Sequence, residues 1–160
     1  MNRSVTPSGL RILVADDDRD IRNGVCLRLR MAGHTVVEAQ DGLEALQQVA
    51  AGRPDMVILD IRMPKMDGLT VLHHLQLDAA NNDIPVVVMS ASLVQRDQAL
   101  DAGAVGFLPK PHDGRELLKI IETVHQFQNC AADPPHGTEL LRPRMEPASV
   151  PTRKSQHATH

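Results

Sequence analysis

The chain contains no tryptophan and no tyrosine, and its only aromatic residues besides histidine are Phe107 and Phe127. Bases, sugars and flavin rings are commonly held by stacking on aromatic side chains, so this scarcity argues against all three as ligands. Cysteine is equally scarce: Cys26 and Cys130 stand 104 positions apart, without metal-ligand or redox spacing. Cys26 sits among Val25, Leu27 and Leu29 and reads as a small core residue. No apolar run approaches the roughly 20 residues that cross a bilayer. The opening MNRSVTPSGLRILVADDD has a short apolar stretch with aspartates directly behind it, which is wrong for a secretory signal. A large excess of positive charge is also missing. The formal net charge is -3, and no recognition-helix motif or basic face points to nucleic acid or an anionic membrane. A cytoplasmic location follows by default.

What the sequence does have is alternation. Short apolar runs at Leu10–Ala15, Thr35–Glu38, Met56–Leu59, Pro85–Met89 and Val105–Leu108 read as strands. Between and after them, Asp18–Ala32, Gly42–Ala51, Gly68–Leu77, Val94–Ala102 and Gly114–Gln128 read as helices. In the first of these the rhythm of Ile21, Val25, Leu29 and Ala32 marks the inward face, and Gly33 is placed to end it. The continuous apolar run of the third strand predicts burial on both faces. Strands alternating with helices in this way predict a doubly wound α/β fold: a five-stranded parallel sheet with five flanking helices. From Asn129 onward, prolines at 134, 135, 143, 147 and 151 interrupt a segment with little apolar periodicity. Such a segment cannot bury enough surface to offset its ordering entropy, so a flexible C-terminal tail is expected. The predicted organisation is an N-terminal extension over 1–9, one domain over 10–128 and a proline-rich tail over 129–160.

In open α/β sheets, ligands bind at the carboxyl ends of the strands. The unusual polar residues collect there. Asp16, Asp17 and Asp18 follow the first strand, Asp60 the third, Ser90 the fourth and Lys110 the fifth. Clustered carboxylates raise one another's pKa unless a cation joins them, and a hard oxygen site with few carboxylates suits Mg²⁺. A carboxylate beside such an ion can attack phosphorus to form an acyl phosphate, with an ammonium and a hydroxyl balancing charge on the phosphoryl oxygens. Each residue alone has an ordinary explanation as a cap, turn or surface residue. Their recurrence at four strand ends of one pattern is what carries the reading.

The segments ILVADDDRDIR, VILDIRMPKMDGL, VVVMSA and GAVGFLPKP resemble the receiver domain of two-component response regulators, in order and spacing, from Leu10 to Gln128. The resemblance implies that Asp60 is the phosphoacceptor and that Asp16, Asp17, Asp60 and the backbone carbonyl of Arg62 hold Mg²⁺. Within the acidic pair, Asp17 is the more direct ligand and Asp16 acts partly through water, while Asp18 reads as the helix cap. It implies that Ser90 and Lys110 engage the phosphoryl group and that Ser90 and Phe107 form the switch. The Lys110–Pro111 bond corresponds to one usually cis in the family. Ser90 stands where Thr is commoner and Phe107 where Tyr is common, and His112 reads as a packing variant of a family Phe. Arg62 is expected to slow hydrolysis by covering the phosphoryl group.

The implied function is that of a stand-alone response regulator in a phosphorelay, without a DNA-binding output domain. The donor is a histidine kinase or histidine phosphotransfer protein. The target is a protein reading the face of the fourth helix, fifth strand and fifth helix, with no nucleic acid or membrane partner. The chain is expected to be a monomer or a weak phosphorylation-linked dimer, and not an enzyme beyond its own phosphorylation and dephosphorylation.

Three alternatives compete with this reading. A phosphatase of the haloacid dehalogenase type needs a second acid two positions after its nucleophile, where this chain has Arg62. A flavodoxin-like carrier needs a phosphate-cradling loop where this chain has aspartates. A receiver serving only as a scaffold is the third.

Overall fold

The computed structural model describes residues 9–131. In chain order the elements are β1 (Arg11–Ala15), α1 (Arg19–Met31), β2 (Thr35–Ala39), α2 (Gly42–Ala51) and β3 (Met56–Asp60). They continue with α3 (Gly68–Leu77), β4 (Val86–Ser90), α4 (Val94–Asp101), β5 (Gly106–Pro109) and α5 (Gly114–Ala131). All strands are parallel, in the order β2-β1-β3-β4-β5. The chain therefore runs outward from β1 to β2 and then returns to place β3 on the other side of β1. The carboxyl ends of β1 and β3 flank this reversal, with Ala15 opposite Leu59.

Alternation along the strands divides the core in two. Leu13, Ala15, Val57, Leu59, Val86 and Val88 face α2, α3 and α4 through Ala45, Val49, Val71, Leu72, Leu75 and Ala99. Ile12, Val14, Met56, Ile58, Val87 and Met89 face α1 and α5 through Val25, Cys26, Leu29, Leu117, Ile121 and Val124. β3 and β4 are buried along their whole length, as a run covered on both faces requires. Each full burial of such a side chain contributes about 1.5–3 kcal/mol before entropy is counted.

Local chemistry fixes where the helices start. Asp18 caps α1 by accepting from the amides of Asp20 and Ile21, at 2.9 and 3.1 Å. Asp41 caps α2 and Asp67 caps α3 in the same way. At α5, Asp113 accepts from the amides of Arg115 and Glu116 while Glu116 accepts from that of Asp113, a reciprocal capping box. Gly33, at φ 93, closes α1 in the left-handed region.

Two expectations are corrected. Ile21 is 38% exposed, and the buried face of α1 is Val25, Cys26 and Leu29. Helix α5 continues through Asn129, Cys130 and Ala131, residues that the change in composition assigns to the tail. The rest of the expected tail and residues 1–8 lie outside the described residues. Among the described residues, no helix is long and apolar enough to cross a membrane.

Candidate phosphoacceptor and metal site

The sheet delivers the sequence-predicted residues to one edge. Asp16 directly follows β1, Asp60 ends β3, Ser90 ends β4 and Lys110 directly follows β5. The Lys110 Nζ lies 2.6 Å from Asp16 Oδ2 and 3.1 Å from Asp60 Oδ1, so one ammonium joins carboxylates from two central strands. The Lys110 amide donates to the Ser90 carbonyl at 2.9 Å, which ties the fifth loop to the end of β4, and the Lys110–Pro111 bond is cis.

Asp16 and Asp60 are buried, whereas Asp17 is exposed. The three offer carboxylate oxygens that all lie within 4.8 Å of one another. Burial pushes the Asp60 carboxyl above its ordinary range; Lys110 opposes that rise, and the charges of Asp16 and Asp17 add to it. For Lys110, burial works against the ammonium, but Asp16 and Asp60 outweigh it and raise its pKa. Three acids thus share one base. A divalent cation with oxygen preference would relieve that imbalance, and the donor set is the hard, carboxylate-rich kind that suits Mg²⁺. The residues present fit the ion.

The site opens into a cavity of about 660 Å³ between α1 and the loop after β5, bordered by Ile21, Arg28, Arg62 and His112. Arg62 is exposed at its rim. His112 is half-buried next to Pro111. Ser90 is buried, and its hydroxyl donates to Gln95 Oε1 on α4 at 2.6 Å while accepting from the Ser92 amide at 3.1 Å. Phe107 is half-buried against the α2–α4 side of the core.

Several residues that shape the site are not among those the sequence singles out for chemistry. Gly68 packs directly beneath the carboxyl end of β3: a Cβ there would meet the Asp60 carbonyl oxygen at 2.1 Å. Lys65, in the left-handed region at φ 66, reaches Asp41 Oδ2 at 2.7 Å and fastens the loop after β3 to the start of α2. Gln95 holds the Ser90 hydroxyl, and Arg22 donates to the backbone carbonyl of Asp16 at 2.6 Å.

Comparison with known proteins identifies the family. The chain belongs to the response regulator receiver domain family, whose model matches residues 12–122. It is 46% identical over 111 residues to the response regulator MprA of Mycobacterium ulcerans, an alignment covering 68% of this chain and 47% of that protein. The chain therefore spans about half the length of the curated relatives it matches. Among solved structures it resembles the chemotaxis protein CheY4 of Vibrio cholerae, with 30% identity and a TM-score of 0.69, covering 73% of this chain and 99% of that one. It also resembles the receiver domain of the sensor histidine kinase PA1611 from Pseudomonas aeruginosa, described with a magnesium ion coordinated in its active site cleft. That match has 25% identity and a TM-score of 0.68 over 72% of this chain and 97% of that one. The fold is that of a signalling phosphoacceptor in two-component regulatory systems, a class that interacts with histidine kinases and downstream proteins.

Proposed function

We propose that this chain accepts a phosphoryl group on Asp60 from a histidine kinase or histidine phosphotransfer protein and passes the signal on by protein contact. The observation that carries the reading is the Lys110 ammonium bridging Asp16 and Asp60, beside Asp17, at the carboxyl edge of the sheet.

In the proposed transfer an Asp60 carboxylate oxygen forms a bond to phosphorus as the bond from phosphorus to the donor's imidazole nitrogen breaks. The donor histidine leaves neutral after taking a proton, and Asp60 becomes an acyl phosphate. Asp16, Asp17, Asp60 and the main-chain carbonyl of Arg62 are the residues proposed to hold Mg²⁺, with Asp17 as the more direct acidic ligand. When bound, that ion supplies positive charge opposite the phosphoryl oxygens. Lys110, already between two carboxylates, pairs with a phosphoryl oxygen. Hydrolysis reverses the state when water attacks phosphorus and the Asp60 carboxylate leaves; Arg62 at the rim slows that attack by covering the group.

The new charge draws the Ser90 hydroxyl away from Gln95 toward a phosphoryl oxygen, and Phe107 moves into the space released. The face of α4, β5 and α5 changes with it. Leu93, Val94, Leu100 and Val105 are exposed apolar residues in this region, the kind of surface a protein partner covers. The receiver is proposed to work in the cytoplasm, as a monomer or in a weak phosphorylation-linked dimer, and its net charge of -3 gives it no basic face for nucleic acid.

Intact-mass spectrometry after incubation with acetyl phosphate and Mg²⁺ tests the reading. The expected result is one phosphoryl adduct that depends on Mg²⁺, is absent in Asp60→Asn, and decays faster in Arg62→Ala. An adduct of equal yield in Asp60→Asn, or none in the wild type under conditions where beryllofluoride also fails to bind, would overturn it.

A further inference from the structure

Asp16 is gripped from every side. Its amide donates to the Ala39 carbonyl of β2 at 3.1 Å, and its carboxylate receives the Asp18 amide at 2.9 Å and the Lys110 ammonium at 2.6 Å. Its carbonyl receives the Arg22 guanidinium, Nη1 to O, at 2.6 Å. This last contact is unusual in origin. Arg22 lies in the first turn of α1, its side chain is only 13% exposed, and its Nε is turned to Glu38 Oε2 at 3.4 Å. Glu38 sits on β2 next to Ala39 and is itself held by Arg30 at 2.8 Å. A planar guanidinium that spans a carbonyl on one side and a carboxylate on the other has its plane and direction fixed by both.

The Asp16 carbonyl belongs to the peptide unit that joins Asp16 to Asp17. Rotating that unit swings the Asp17 carboxylate, which unlike Asp16 is exposed and has no hydrogen bond among those described to anchor it. Mg²⁺ demands near-ideal octahedral geometry and is intolerant of misaimed ligands. We infer that Arg22, steadied by Glu38, is a positioning residue for the acidic pair: it locks the Asp16–Asp17 peptide so that both carboxylates face Asp60. The inference rests on the proposed Mg²⁺ site.

Electrostatics alone makes the opposite forecast, which gives the idea its test. A cation beside a cation site repels the incoming ion, so removing Arg22 for charge reasons would tighten Mg²⁺ binding. Removing it as a positioning group loosens binding. Residues that orient metal ligands without touching the metal commonly cost about 10–100-fold in affinity when lost. The low end applies here because Mg²⁺ keeps several waters.

The experiment is isothermal titration of the full chain with MgCl₂, in wild type, Arg22→Ala, Glu38→Ala and the double variant, with circular-dichroism melts in EDTA to verify the fold. Arg22→Ala should raise the Mg²⁺ dissociation constant by about tenfold. Glu38→Ala should raise it less, and the double variant should bind like Arg22→Ala because the two act through one contact. Unchanged or tighter binding in folded Arg22→Ala overturns the inference, as do fully additive losses. Should Arg22→Ala fail to fold, Arg22→Lys takes its place, because one ammonium replaces the two-sided fork; undiminished Mg²⁺ affinity there overturns the inference equally. A wild type that binds no Mg²⁺ instead overturns the site on which the inference is built, so the two failures are distinguishable.

Discussion

Ser90 and Asp16 both end up buried at the carboxyl edge of the sheet, yet they are held in different ways. Asp16 is bound through its amide, its carbonyl and both carboxylate oxygens. The Ser90 hydroxyl donates one bond, to the Gln95 side chain, and accepts one from the Ser92 amide. The movement proposed for Ser90 is thus opposed by a single side-chain acceptor. Such a hydrogen bond contributes about 0.5–1.5 kcal/mol net. Gln95→Ala should therefore raise beryllofluoride affinity by about two- to tenfold, followed by NMR titration of backbone amides. Unaltered affinity would mean that Gln95 does not hold Ser90 back. The candidate site residues were readable from the chain because carboxylates, an ammonium and a hydroxyl at strand ends are letters in a pattern. Their supports were not. Arg22 grips a backbone carbonyl, which no letter records, and the Gln95 amide in the first turn of α4 looks like any solvated helix residue. The Ile21 side chain keeps the helical rhythm but falls at the rim of the cavity, where there is no sheet left to cover it.

Among the elements, the loop between β3 and α3 has the tightest tolerances. It leaves Asp60, passes Arg62, and is fastened by Lys65 to Asp41 at the cap of α2. Met66 packs against Gly42, where a Cβ would meet the Met66 carbonyl oxygen at 2.3 Å. Gly68 starts α3 with its amide on the Ile61 carbonyl at 2.8 Å and its α-carbon under the Asp60 carbonyl. Backbone, unlike a long side chain, has little room to yield. Gly68→Ala is expected to destabilise the protein by about 1–3 kcal/mol in urea denaturation and to lower the yield of phosphorylated protein, since the displacement falls on the proposed acceptor itself. A fully stable, fully phosphorylated Gly68→Ala would show that the loop gives way more easily than its packing implies. The glycine belongs to a recognisable motif, but its reason lies in a contact eight positions back that only the fold creates. The strands β3 and β4, by contrast, were evident as apolar runs because burial on both faces leaves no polar position. The end of α5 was not: from Gln126 to Cys130 every side chain is exposed, so the helix continues with no apolar stripe to mark it.

At the scale of the whole molecule, burying the Asp60 carboxylate works against the stability of the fold. The Asp60 pKa is raised above its ordinary value of 3.8, mainly by burial. In the pH window between that ordinary value and the raised one, the folded state binds more protons than the unfolded chain, so stability falls as pH rises through it. Above the window the full cost is present, and below 3.8 it disappears. Asp60→Asn should accordingly be more stable than wild type at neutral pH, by about 1 kcal/mol, with the gap closing in acid. The chain has no tryptophan to report unfolding, so far-UV circular dichroism in urea is the appropriate measurement. A variant less stable than wild type at neutral pH would mean that the Lys110–Asp60 pair outweighs the burial penalty.

The Lys110–Asp16 contact closes a separation of 94 positions. A chain emerging from the ribosome presents all its site aspartates before it has Lys110, the lysine that pairs with Asp16 and Asp60 among the described residues. A truncated or half-made copy therefore carries an uncompensated cluster of acids where a finished one holds an ammonium between two of them. The charge balance of the site is therefore complete only once the fifth strand is in place.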